Sequence, residues 1–195
     1  MKKLETHTKI TGFTLVELMI TIAIAMILAT LAVPSFSLMI NNAKVTSSTN
    51  EFVAALNLAR SEALKRSDNV TVCRSNSDFS ACLATGTKDY AVNGWLVFPD
   101  CSSAGTRGTI DTSIDCDGDG TNENEKDGII KVGESNDYIN LISTVDFITY
   151  DLAGRIVGGT TPTFSVKHTT ATASPEIKQN QVSISRIGRV KSEKI

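Results

Sequence analysis

The sequence predicts an α+β fold: one long N-terminal helix, apolar in its first half, packed on a small antiparallel β-sheet head. Three observations carry this. Residues 13–33 form an apolar run whose only charged residue is Glu17. Apolar residues at helical spacing continue the run to about residue 66. Beyond it, short β-rich stretches alternate with glycine, asparagine and aspartate turn signals.

The elements follow in order. A polar leader, residues 1–12, carries Lys2, Lys3 and Lys9. Residues 13–34 are long enough to span a bilayer. Pro34 interrupts the pattern, and a kink is expected there. Residues 35–66 turn amphipathic. Val45, Phe52, Leu56, Ala59 and Ala63 make one apolar stripe, and Asn42, Lys44, Asn50, Glu51, Arg60 and Lys65 fill the polar faces. A helix over 13–66 would be about 80 Å long. A small head cannot bury that length, so its upper half needs a bilayer or neighbouring copies.

Residues 67–195 read as the β-rich head. Strands are expected at 70–73, 95–98 (after the Asn93-Gly94 turn), 129–132, 145–150, 164–167 and 182–185. Residues 102–127 read as an extended loop, and 160–175 as a loop-and-strand or partly mobile segment. Aromatics are 6% of the chain, so the core is small and disulfides would help it. The four cysteines, Cys73, Cys82, Cys101 and Cys116, all follow the apolar run. An even number in an exported domain favours two disulfides, and three pairings are possible. Sequence closeness favours Cys73–Cys82 and Cys101–Cys116. A four-cysteine zinc site is the alternative, but no pair has the C-x2-C spacing.

A carboxylate inside an apolar span is costly and is a functional signal by default. Gly12-Phe13-Thr14-Leu15-Val16-Glu17, opening that span behind a basic leader, resembles the type IV pilin signal. The resemblance implies cleavage by prepilin peptidase after Gly12, a methylated Phe13 and assembly into a helical fibre of pilins. It also implies that Glu17 meets the Phe13 amine of a neighbouring subunit. Physics agrees, because a buried carboxylate needs a partner and a cleaved N-terminus supplies a cation. An ordinary secretory signal, cut after small residues such as Thr30 and Ala32, and a plain membrane anchor are the competing readings. Neither accounts for Glu17.

In the head, Val70-Thr71-Val72-Cys73-Arg74-Ser75 with Cys82, Asn93-Gly94-Trp95-Leu96-Val97-Phe98, and the ending Val182-Ser183-Ile184-Ser185-Arg186-Ile187-Gly188-Arg189 resemble the GspH/FimT group of minor pilins and pseudopilins. The resemblance implies an inner-membrane subunit with a periplasmic head that enters a pilus or a type II secretion pseudopilus.

Loss of Lys2, Lys3, Lys9 and Glu5 with the leader leaves 16 basic and 20 acidic residues, a net charge of −4. Nucleic-acid binding therefore requires a local patch. Arg186, Arg189, Lys191 and Lys194 supply one, opposed by Glu193. Gly188-Arg189-Val190-Lys191 resembles the Gly-Arg-x-Arg motif of DNA-binding FimT-type pilins, which implies duplex DNA as a partner in natural transformation. Lys191 keeps the second charge but loses the bidentate fork of arginine. The alternatives are an ordinary solvated strand end and, within the resemblance, a pilus-priming minor pilin without DNA binding.

Asp115-Cys116-Asp117-Gly118-Asp119-Gly120 resembles the start of a calcium loop. Asp115, Asp117, Asp119 and Glu123 are its candidate ligands. Lys126 stands where the closing glutamate belongs, so any calcium binding is expected to be weak. No other cofactor is expected. The only histidines are His7 and His168, and no nucleophile–base pair, phosphate loop or metalloprotease motif is present, so an enzyme is not expected.

Overall fold

The computed structural model describes residues 12–83, 86–100, 128–159, 161–172 and 176–195. Two units divide the chain, Met1–Met39 and Ile40–Ile195.

Helix α1 covers Leu15–Arg66 and runs on through Pro34. Within the first unit it is the one described helix long and apolar enough to cross a membrane. Its large side chains are exposed, from Leu15 and Val16 to Ile27 and Leu28. Within the second unit it carries the expected stripe. Val45, Phe52, Leu56, Ala59 and Ala63 are all buried, joined by Thr49 and Ala55. The helix stops where Ser67 takes a left-handed φ of 55°. Asp68 N–H then donates to Ala63 O at 3.3 Å, which satisfies a carbonyl of the last turn. Glu62 binds Lys65 and Arg66 across that turn.

The strands form two four-stranded antiparallel sheets rather than the single sheet expected. The first has the order β3–β2–β1–β5, with β1 Val70–Arg74, β2 Trp95–Pro99, β3 Lys131–Gly133 and β5 Phe147–Tyr150. The second has the order β4–β6–β7–β8, with β4 Ile139–Ser143, β6 Thr163–His168, β7 Gln179–Ile184 and β8 Val190–Lys194. A short 3-10 turn, Thr169–Thr172, follows β6. In the first sheet β1 and β2 are buried at every residue, and in the second β6 alternates buried and half-buried. Strand β1 is also covered on both edges by β2 and β5.

Phe52 of α1 is the centre of the core. Its ring lies 5.7 Å from Tyr90, 5.8 Å from Trp95 of β2 and 4.8 Å from Phe164 of β6. One helical side chain thereby touches both sheets. A second lock is a polar stack. The Lys44 ammonium sits 3.6 Å over the Tyr138 ring, and Tyr138 stacks on His168 at 6.2 Å.

Candidate functional site

The N-terminal signal ends in a local structure that the sequence reading missed. Gly12 and Phe13 precede the helix, and Phe13 is 91% exposed. Thr14 is the N-cap. Its N–H and Oγ1–H both donate to Glu17 Oε2, at 2.9 and 3.0 Å, and Glu17 N–H donates back to Thr14 Oγ1 at 3.2 Å. This is a reciprocal capping box. Thr-x-x-Glu at 14–17 was its signal. Glu17 thus has a structural job besides any pairing across subunits. All of its bonds fall on one oxygen, and a carboxylate keeps further acceptor capacity on the other. The leader, 1–11, lies outside the described residues.

The basic C-terminal residues are not one compact cluster. Arg186 and Arg189 sit in the β7–β8 turn, and both are exposed. Lys191 lies on β8 and is ion-paired to Glu193 on the same face. Lys194 pairs with Asn180 at the far end of β8, about 13 Å of strand away and on the opposite face. Neither Arg186 nor Arg189 has an ion-pair partner among the described residues.

The turn itself is a three-residue loop with a glycine bulge. Gly188 N–H donates to Ser185 O at 2.8 Å, and Ser185 N–H to Arg189 O at 3.0 Å. Arg189 N–H reaches Ser185 Oγ at 3.1 Å. Gly188 has φ +76°, and a Cβ there would lie 2.0 Å from Gly154 O. Only glycine allows both the turn and the contact. Gly154 in turn abuts Arg60 and Leu64 of α1, and Arg60 Nε donates to its carbonyl at 3.0 Å. Ile156 N–H donates to Arg186 O at 3.1 Å.

One cation invisible to local sequence reading therefore joins the hairpin: Arg60, from 126 residues upstream of Arg186 on α1. Only the fold brings it there. Arg155 is bound to Asp151 at 2.9 Å. Burial alone would raise the Asp151 pKa. The Arg155 and Ala153 N–H groups and the Arg155 guanidinium nonetheless hold it below the usual carboxylate range. Burial pushes the Tyr150 phenol up, and the charge of Arg60 opposes it.

Cys73 and Cys82 form a disulfide with a Cα–Cα distance of 5.7 Å. It packs on Leu96 and Phe98 of β2 and closes the loop after β1. Cys101, Cys116, Asp115, Asp117, Asp119 and Glu123 lie outside the described residues. Among the described residues, no group of three His, Cys, Asp or Glu side chains could hold a metal ion. A half-open cavity of about 380 Å³ lies beside β5, lined by Phe147, Ile148, Ile156, Val157 and Pro162, with the Lys88–Asp146 ion pair at its rim. Buried Arg74 holds the other oxygen of Asp146 at 3.0 Å.

These features have counterparts among known proteins. The family model for the type II transport protein GspH matches residues 48–188, and that for the prokaryotic N-terminal methylation motif matches 8–33. Among curated proteins, none matches the chain in sequence. The type IV minor pilin FimU of Pseudomonas aeruginosa, in one crystal form, is similar with a TM-score of 0.51 and 18% identity, over 78% of this chain and 90% of that one. The minor pseudopilin EpsH of the Vibrio cholerae type 2 secretion system gives a TM-score of 0.45 and 15% identity, over 76% of this chain and 95% of that one. At such identity the likeness to FimU is one of fold. The methylation motif, the apolar helix and the GspH match together carry the conclusion: this chain belongs to the GspH family of type IV minor pilins and pseudopilins.

Proposed function

We propose that the chain is a minor pilin cut between Gly12 and Phe13, held by residues 13–34 in the inner membrane, and then assembled into a pilus. Its head, periplasmic before assembly, binds duplex DNA through the β7–β8 turn and serves uptake in natural transformation. The observation that carries the DNA reading is the pair of exposed guanidinium groups, Arg186 and Arg189, without an ion-pair partner among the described residues, on a turn braced by Gly154 and Arg60. Guanidinium groups on a backbone held in one turn suit phosphate oxygens. Lys191 adds charge attenuated by Glu193, and Lys194 adds it only if the duplex lies along β8. Two to four phosphate contacts give weak binding with a log–log salt slope of roughly −2 to −4. Repetition of subunits, or other pilus components, would raise the avidity.

The full chain in neutral detergent should retard duplex DNA at low salt. Arg186→Gln with Arg189→Gln should abolish this. A wild-type chain that never retards DNA at low salt overturns the reading.

The match to the type II transport protein favours a second reading, a secretion pseudopilin with no DNA role. Deletion of the gene separates the two. Lost transformation with normal protein secretion supports the pilin, and the reverse supports the pseudopilin.

A further inference from the structure

The β7–β8 turn carries an apolar residue where solvent should favour a polar one. Ile187 is 63% exposed at the tip, directly between Arg186 and Gly188. Its surroundings repeat the theme. Leu64, beside Gly154, is 50% exposed and Leu152 is 62% exposed. Leu64 borders Gly154, which abuts Gly188, and Ile187 stands between two guanidinium-bearing residues, so apolar and cationic groups meet at this turn.

Resting on the DNA reading above, we propose that Ile187 is a wedge that enters the duplex from the minor groove between two base steps. Arg186 and Arg189 would lie against the groove and its phosphates on either side.

Three features support this occupant. First, the flanking charges are cationic and have no carboxylate partner among the described residues, on a mature chain of net charge −4. An anionic polymer fits such a surface. The narrow minor groove concentrates negative potential and attracts inserted arginines. Second, the wedge is preorganised. The turn is closed by Gly188 N–H to Ser185 O and Ser185 N–H to Arg189 O, and anchored by Ile156 N–H to Arg186 O. Gly188 is pressed on the Gly154 carbonyl, which Arg60 also holds. A β-branched side chain has few rotamers to lose. Third, isoleucine between cations is the composition of side chains that unstack a base step and bend the duplex by roughly 20–90°.

The proposal has a consequence that plain phosphate binding lacks. Steps that unstack easily, TA and CA, should be preferred over stiff A-tracts, with no base-specific hydrogen bond.

The test uses the full chain in neutral detergent and short duplexes labelled at both ends for energy transfer. Wild type should bring the ends closer on a duplex with a central TA step, and less so on an A-tract. Ile187→Ala should bind about tenfold more weakly, with an unchanged salt slope and no bend. Ile187→Met should restore the bend. Arg186→Gln with Arg189→Gln should remove binding altogether. An unshifted melting curve for Ile187→Ala, followed by Trp95 fluorescence, would show that the head is intact. Wild type that binds without bending, or Ile187→Ala that bends as well as wild type, overturns the wedge and leaves the DNA reading standing. Absence of wild-type binding overturns both.

Discussion

Phe52→Ala should loosen the whole head, because one ring joins the helix to both sheets. Phe52 is 1% exposed and lies within 6 Å, ring to ring, of Tyr90, Trp95 and Phe164. Truncation removes the ring from a site walled by three aromatics. Those rings belong to separate strands and loops, so the site cannot collapse without moving a sheet. The cost should therefore be at the full value for a buried phenylalanine, about 3–5 kcal/mol. In a head of this size each kcal/mol moves the midpoint by about 2–4 °C, so the fall should be about 6–20 °C. The chain has one tryptophan, Trp95, 4% exposed and 5.8 Å from Phe52. Its fluorescence reports melting of the head without interference from the apolar half of α1. Phe52→Leu, which keeps part of the volume, should lie between. A fall of under 2 °C for Phe52→Ala would refute the claim that this one ring ties the helix to both sheets.

Other outcomes follow from single sites. His168 is buried; Thr170 N–H donates to Nδ1 at 3.2 Å, so the neutral ring carries its proton on Nε2, which has no partner among the described residues. Burial, and then Lys44, lower its pKa. The folded state therefore resists protonation, and stability should be flat above the ordinary value of about 6.5 and fall as pH drops below it. Melting curves between pH 8 and 5 (on the order of a unit either side of that value) check this, and His168→Gln should flatten the slope. Gly188→Ala places a Cβ on the Gly154 carbonyl at left-handed φ, and should cost about 2–4 kcal/mol by the same melt. Glu17→Gln can keep the capping box but loses the charge, whereas Glu17→Ala loses both. Both variants should be processed yet fail to enter isolated fibres if the charge pairs with the Phe13 amine. Normal incorporation of Glu17→Gln would assign Glu17 to capping alone.

Much of the fold was legible because it rests on patterns local in sequence. The stripe Val45, Phe52, Leu56, Ala59 and Ala63 has helical spacing and is buried throughout. The runs at 70–73 and 95–98 are β1 and β2, extended by Arg74 and Pro99. Strand β3 is shorter than the run at 129–132, and β5 begins only at Phe147, because Ser143 Oγ and the Arg74–Asp146 ion pair hold residues 143–146 in a turn. Strand β4 lies outside the expected runs, and β8 is foreshadowed only by the strand-end reading of the basic residues. In β4, Ile139-Asn140-Leu141-Ile142-Ser143 does alternate, with Ile139, Leu141 and Ser143 buried, so its signal was available. In β8, Val190-Lys191-Ser192-Glu193-Lys194 has almost no β-propensity and is an exposed edge, formed only because β7 templates it. Leaving these two strands out of the expected runs turned two sheets into one. The site divides in the same way. Arg186, Arg189 and the turn glycine are contiguous and were read directly. Arg60 reaches the turn only through the close approach of Gly154 and Gly188.

Processing as a pilin precedes every later step of assembly, and the mass of the mature protein tests it most directly. A chain recovered from membranes or fibres should begin at Phe13 with a methylated amine. A chain beginning after Ala32, or one that keeps residues 1–12, would contradict it.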